Sequence, residues 1–370
     1  MVENATGDRI SWLGAKLRGY YPHPRARDVA ALQRAVTTGS EPENRPQFAN
    51  PFMLRDLLIF DDATMADLVT SGADALRPIN LARALKGGPV ELVARVRRTL
   101  PPHERARFVR ALASGPRTPD PAAIRRLLDV LFWELTYWKT PDLYEQLTEG
   151  EALHPGIFMH LEPLLRDQEV LDAGAGSGRA TVECLRYGAR HVYAVEPSPG
   201  LLRLLEGKLA RSVAHERVTP LRGRFDALPL PDDSVDVSLS CSAFTADAEH
   251  GGDAGLAELR RVTRAGGYIV LIWPRPQDFE WLATRNFRYV ALPMKHDLRV
   301  RFRSFDAAMR VARRFYAHNR ALLSYLARSR RAEIPFALVG YNPPHDYCWL
   351  TVEKPRTGED NAASRNGTDA

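Results

Sequence analysis

One short run constrains this chain more than any other. Val170-Leu-Asp172 reads as a buried strand, Ala173-Gly174-Ala175-Gly176-Ser-Gly178 as a glycine-rich turn, and Arg179-Ala-Thr181 as the opening of a helix. Glycines at alternate positions let the backbone approach a ligand where a Cβ would clash. Further β-branched runs follow at Val192-Tyr-Ala-Val195, Val235-Asp-Val-Ser-Leu239 and Tyr268-Ile-Val-Leu-Ile-Trp273, alternating with helical stretches at roughly thirty-residue spacing. Strand–helix alternation predicts an α/β fold, with a parallel sheet covered on both faces.

The turn discriminates among nucleotide sites. Counting from Gly174, the sixth position of a Gly-x-Gly-x-x-Gly fingerprint is Arg179, so the pyrophosphate pattern fails. Asp172 stands just before the first glycine, where a carboxylate meets an ammonium group and would repel a pyrophosphate. The second strand ends at Glu196-Pro197, and Glu196 lies about twenty residues beyond Gly176, the separation at which an acid accepts hydrogen bonds from ribose hydroxyls. Gly223-Arg-Phe225-Asp226, Ser240-Cys-Ser-Ala-Phe244, a helix around Leu256 to Val262, and Arg264-Ala-Gly-Gly267 leading into Tyr268 complete the series.

These pieces, in this order, resemble the class I S-adenosylmethionine-dependent methyltransferases, from roughly Trp138 to Trp273 with a looser match to Pro355. The resemblance implies a Rossmann-like, mostly parallel seven-stranded sheet with an antiparallel closing strand, and S-adenosyl-L-methionine as cofactor. The loop from Ala173 through Gly174, Ala175 and Gly176 to Gly178 would wrap the methionine part, with Asp172 near its ammonium. Glu196, followed by Pro197, would hold the ribose diol. Phe225 and Asp226 would flank adenine, although Asp226 reads equally as a solvated turn acid. Arg224 stands where many relatives carry an acid. Tyr144 would close the cofactor pocket or pack as an ordinary helix residue.

No signature names a general base. Asn342-Pro-Pro-His345 falls between Phe336–Gly340 and Tyr347–Val352, where a closing antiparallel hairpin is expected, and His345 and Tyr347 are the catalytic candidates. A metal site is not expected. The three cysteines, Cys184, Cys241 and Cys348, lie far apart without ligand spacing, which favours a reducing compartment. The start Met1-Val-Glu-Asn-Ala lacks the pattern of a secretory signal, and no apolar run reaches bilayer length, so a cytoplasmic protein is expected.

Ahead of the sheet region the pattern is helical. Residues 1–50, rich in Pro, Arg, Gly and Asn, read as a partly ordered arm, and 51–137 as an all-helical domain. Asp61-Asp62 is an expected helix start, Gly87-Gly88-Pro89 a stop, and one helix is expected from Ala122 to about Trp138. Phe52-Met-Leu-Arg-Asp-Leu-Leu-Ile-Phe-Asp-Asp62 and Leu81-Ala-Arg-Ala-Leu-Lys-Gly87 resemble the C-terminal domain of the flagellar motor switch protein FliG, which implies a protein-docking module. Residues 138–354 would form the methyltransferase domain, and 355–370 a disordered tail.

The net charge is +6 over 370 residues, and its distribution is uneven. Between Lys295 and Arg331 stand eleven basic residues against Asp297 and Asp306. That segment follows the expected sixth strand, Phe287 to Pro293, and reads either as a solvated Arg-rich face or as a lid gripping an anionic substrate through Arg310, Arg313 and Arg314. The expected acceptor is a small molecule or peptide. A non-catalytic adaptor and an RNA methyltransferase are the competing functions, and the latter predicts salt-sensitive binding.

Overall fold

The computed structural model describes residues 48–114, 118–211, 215–294, 298–340 and 342–354. The expected tail over 355–370, all but the last three residues of the expected arm over 1–50, and Lys295–Asp297 lie outside the described residues.

A 3₁₀ turn at Leu54–Ile59 precedes seven helices: α1 (Asp62–Thr70), α2 (Pro78–Leu85), α3 (Val90–Thr99), α4 (Pro102–Ala113), α5 (Pro121–Val130), α6 (Phe132–Lys139) and α7 (Pro141–Gly150). Their starts follow from side chains that satisfy otherwise unpaired N–H groups. Asp61 accepts from Thr64 N at 2.8 Å, and Asp120 from Ala122 N and Ala123 N, both at 3.0 Å. Prolines open α2, α4, α5 and α7, where a missing N–H costs nothing. The helix expected from Ala122 to Trp138 is two helices broken at Leu131, which sits at φ −91° and ψ 10°. Neither Pro nor Gly announces that break.

After α8 (Gly156–Leu165) the alternating region begins: β1 (Glu169–Ala173), α9 (Arg179–Arg186), β2 (His191–Glu196), α10 (Pro199–Leu209), β3 (Val218–Arg222), β4 (Val235–Cys241), α11 (Gly252–Val262), β5 (Thr263–Ile272), α12 (Phe279–Thr284) and β6 (Arg288–Ala291). An excursion follows, with β7 (Arg299–Arg301) paired to β8 (Glu333–Pro335) and the helices α13 (Phe305–Phe315) and α14 (Arg320–Ser329) between them. Then come α15 (Phe336–Val339) and β9 (Asp346–Thr351).

The seven strands run in the order β3-β2-β1-β4-β5-β9-β6. Only β9 opposes its neighbours, pairing Tyr347 with Ile272 on one side and Val290 on the other. The expected hairpin is therefore corrected: residues 336–339 form one helical turn ended by Gly340 at φ +94°, and β9 instead fills the slot between β5 and β6. Ile157, Leu161 and Leu205 cover one face of the sheet, and Leu256, Leu259 and Phe279 the other. With both faces buried, the strands are near-continuous apolar runs. The chain leaves β1 in one direction across the sheet to β2 and β3, and later in the other direction through β4. The crevice outside the carboxyl ends of β1 and β4 is thus the topological switch point.

The helices do not stop at the expected boundary. One apolar core takes in Leu85, Leu92, Phe108, Leu127 and Leu135 together with Val311, Phe315, Leu322, Leu326 and Ile334 from the excursion. Trp133 and Phe315 stack with centroids 5.4 Å apart and planes 3° from parallel. Burying a side chain such as Leu85, Phe108 or Leu135 contributes about 1.5–3 kcal/mol. Residues 298–339 thus pack as part of the helical body, and the expected 137/138 boundary runs through α6.

Candidate functional site

The glycine turn is fixed by its neighbours. Gly174 N and Ala175 N both donate to Val195 O, at 2.8 and 3.0 Å, and Gly178 N donates to Ala175 O at 2.9 Å. All three glycines have positive φ, at +72°, +57° and +90°. A Cβ on Gly174 would stand 2.7 Å from Ala243 Cβ and 3.0 Å from Phe225 Cζ, and one on Gly178 would stand 2.4 Å from Leu205 Cδ1. At Gly176 a Cβ would meet nothing within 4 Å. Two glycines therefore serve packing, and the middle one borders open space.

Two acids flank the turn. Asp172 is fully buried; its Oδ2 accepts from Thr181 Oγ1 at 2.6 Å, while Oδ1 is buried with no hydrogen-bond partner. Burial pushes this carboxyl up to about 6. Glu196 is 5% exposed and takes Gly176 N on Oε2 and Ser198 N on Oε1, both at 2.9 Å. Burial still outweighs those two donors and lifts it to about 7. Ala173 is buried, and Pro197, next to Glu196, is exposed.

The helical body forms a wall of the crevice. The first turn of α10 presses so close to α6 that a Cβ on Gly200 would lie 2.0 Å from Tyr137 O. Tyr137 and Tyr144 meet edge to face with centroids 4.8 Å apart. Burial raises both phenols, and Arg179, Glu151 and Glu196 are among the charges that reach Tyr144. Glu134, on α6, is likewise raised by burial and feels Arg224. Tyr144 thus packs on Tyr137 within the helical body, with the charges of Arg179, Glu151 and Glu196 around it. Glu134 and Tyr137 escaped the sequence reading, because nothing local marks which side of α6 meets the sheet.

The other candidates are dispersed. Phe225 packs edge-on to Phe244 at 5.1 Å, beside the glycine turn. Asp226 is exposed and accepts from Arg224 Nε at 3.1 Å, while Arg224 also pairs with Asp67 at 3.2 Å. His345 Nδ1 bonds Pro343 O at 2.8 Å, and Tyr347 is 4% exposed in the core beneath α8. Arg310 donates to Gln146 Oε1 at 3.4 Å, Arg313 is exposed, and Arg314 lies 5.7 Å from the centre of the Phe52 ring. These three arginines do not converge on one point. Among the described residues, no group of three or more His, Cys, Asp or Glu side chains is placed to hold a metal ion, and no helix is long and apolar enough to cross a membrane.

The fold and the turn form a Rossmann-like sheet with an open glycine turn after β1 and a buried acid at the end of β2. Residues 170–267 match the family described as a methyltransferase domain. The chain is 34% identical over 115 residues to protein arginine N-methyltransferase 1 of Schizosaccharomyces pombe, covering 30% of this chain and 33% of that protein. It is 32% identical over 135 residues to the malonyl-[acyl-carrier protein] O-methyltransferase of Serratia marcescens, covering 35% and 43%. An uncharacterized methyltransferase of Geobacillus thermodenitrificans is 31% identical over 136 residues, covering 34% and 60%. The match spans about a third of the first of these relatives. Among solved structures, a methyltransferase from an antibiotic biosynthesis pathway of Anabaena variabilis aligns with TM-score 0.37 and 18% identity, over 55% of this chain and 99% of that one. Val170 to Gly267 is thus the part of the chain that is similar to a methyltransferase domain, and the cofactor this similarity supports is S-adenosyl-L-methionine. The residues fit it: a buried carboxylate oxygen without a partner at Asp172, open space over Gly176, and a buried acid at Glu196.

Proposed function

We propose that the whole chain is an S-adenosylmethionine-dependent methyltransferase acting in the cytoplasm on a small-molecule or peptide acceptor. The observation that carries this reading is the bond from Gly176 N to Glu196 Oε2, which joins the open glycine to the acid that would take the ribose. When bound, the cofactor supplies an already activated methyl group. The protein then has to hold and align. Asp172 offers its spare oxygen to an ammonium, Glu196 accepts from the ribose hydroxyls, and Phe225 flanks adenine. Tyr144 and Tyr137, from the helical body, shut water out of the crevice. Holding an acceptor in line this way removes several kcal/mol of barrier, roughly seven to eleven in favourable cases.

In this reading the outer surface of the helical body is the docking face, as a resemblance of Phe52–Asp62 and Leu81–Gly87 to FliG implies. Part of the basic surplus of the excursion is met internally, by Arg299 with Glu333 at 3.0 Å and by Arg303 with Glu149, which weighs against RNA as acceptor. The test is a calorimetric titration with S-adenosylhomocysteine, followed by turnover of a labelled methyl group in cell extract. Binding with turnover sustains the enzyme, and binding without turnover, or no binding, removes it and leaves an adaptor.

A further inference from the structure

Arg179 has no part in the cofactor contacts proposed above. It opens α9 directly after the glycine turn, yet its guanidinium reaches across to the carboxyl ends of β4 and β5. Nη2 donates to Ser242 Oγ at 2.8 Å and to Cys241 Sγ at 3.6 Å, and Nη1 donates to the backbone carbonyl of Glu151 at 3.0 Å. The guanidinium carbon lies 5.8 Å from the centre of the Trp273 ring. Both strand ends that it spans are strained: Ser242, just after β4, has φ +54°, and Trp273, just after β5, has φ +57°. Non-glycine residues persist in that region where their surroundings overdetermine them, and such places cluster at binding sites.

The partners on the Nη2 side are poor for so strong a donor. A thiol is a weak acceptor and a serine hydroxyl a neutral one, whereas a carboxylate matches the guanidinium fork with two charge-assisted bonds. Ser242 is exposed, so this end of Arg179 is reachable from solvent. The buried carboxylate of Glu151, which accepts from Tyr316 Oη at 3.4 Å, balances the charge in the resting site. The Trp273 face offers an apolar platform beside the fork.

Resting on the methyltransferase reading above, we infer that Arg179, with Ser242 and Trp273, is the subsite for a carboxylate carried by the methyl acceptor, so that the substrate class is an organic acid or a peptide presenting a free carboxylate.

The test uses the full chain saturated with S-adenosylhomocysteine and three probes of one shape: benzoate, benzamide and benzylammonium. Benzoate is expected to bind at least about tenfold tighter than the other two. R179Q should lose that preference while keeping its affinity for S-adenosylhomocysteine, and R179K, which keeps the charge without the fork, should weaken benzoate several-fold. If R179Q fails to fold, R179K decides alone. Equal binding of the three probes, preference for benzylammonium, or benzoate affinity untouched in either folded variant overturns the assignment. Failure of S-adenosylhomocysteine to bind the unaltered chain is a separate result; it removes the cofactor reading and this subsite with it.

Discussion

Gly176 and Glu196, twenty residues apart in sequence, are joined by a 2.9 Å hydrogen bond from the glycine N–H to the glutamate Oε2. The turn after β1 and the end of β2 are therefore one unit, and substitutions on either side of the bond separate binding from stability.

Gly176→Leu places a side chain in open space, so it should cost about 1–2 kcal/mol of stability from its left-handed backbone. Affinity for S-adenosylhomocysteine should fall at least a hundredfold. Gly178→Ala, driven into Leu205, should instead lower the unfolding midpoint more than Gly176→Leu does. Urea unfolding beside calorimetry decides; equal stability losses with cofactor affinity kept in both would contradict this division.

Glu196 takes its proton at about 7 in the free protein. Ribose hydroxyls donate better to the ionised form, so S-adenosylhomocysteine should bind more tightly as pH rises from 6 to 8. In Glu196→Gln the pH dependence should shrink to the about twofold rise that Asp172, ionising near 6, still gives, and the affinity should drop. A flat profile in the unaltered protein would count against Glu196 as the ribose acid.

Asp172 has a folded value of about 6 against an ordinary 3.8, so its proton is held more tightly in the folded chain. The associated stability is complete below about pH 4 and is lost as pH rises through 6. Relative to the unaltered protein, Asp172→Asn should therefore gain up to about 3 kcal/mol between pH 4 and pH 7. Denaturation curves at several pH values would show parallel lines if Asp172 titrated normally.

Tyr347→Phe and His345→Ala test the base expected from sequence. Tyr347 is packed in the core and His345 is tied to the Pro343 carbonyl. Turnover of the labelled methyl group should stay within about threefold in both. A loss of a hundredfold or more in either would make that residue part of the chemistry.

How much was readable in advance follows from what acts locally. The glycine turn was legible because left-handed φ and close approach demand glycine whatever surrounds them, and Glu196 because strand geometry fixes its distance from the turn. Strand β3 left little trace: it is an edge strand, half-buried, with Pro220 in it, and an edge tolerates a proline that a central strand would not. The positions of Glu134 and Tyr137 beside the sheet were hidden because α6 has apolar or aromatic residues on more than one side. The union of α13 and α14 with the first helices was beyond reach, since it depends on contacts between residues as far apart as Phe132 and Phe315.

That last union has a practical corollary. The sheet owns the glycine turn, but α13 and α14, strung between its last two strands, share one apolar core with helices made earlier in the chain. A fragment beginning at residue 138 would carry every predicted cofactor contact and yet present Val311, Phe315 and Leu322 to water, so the catalytic half should precipitate when made without its helical half.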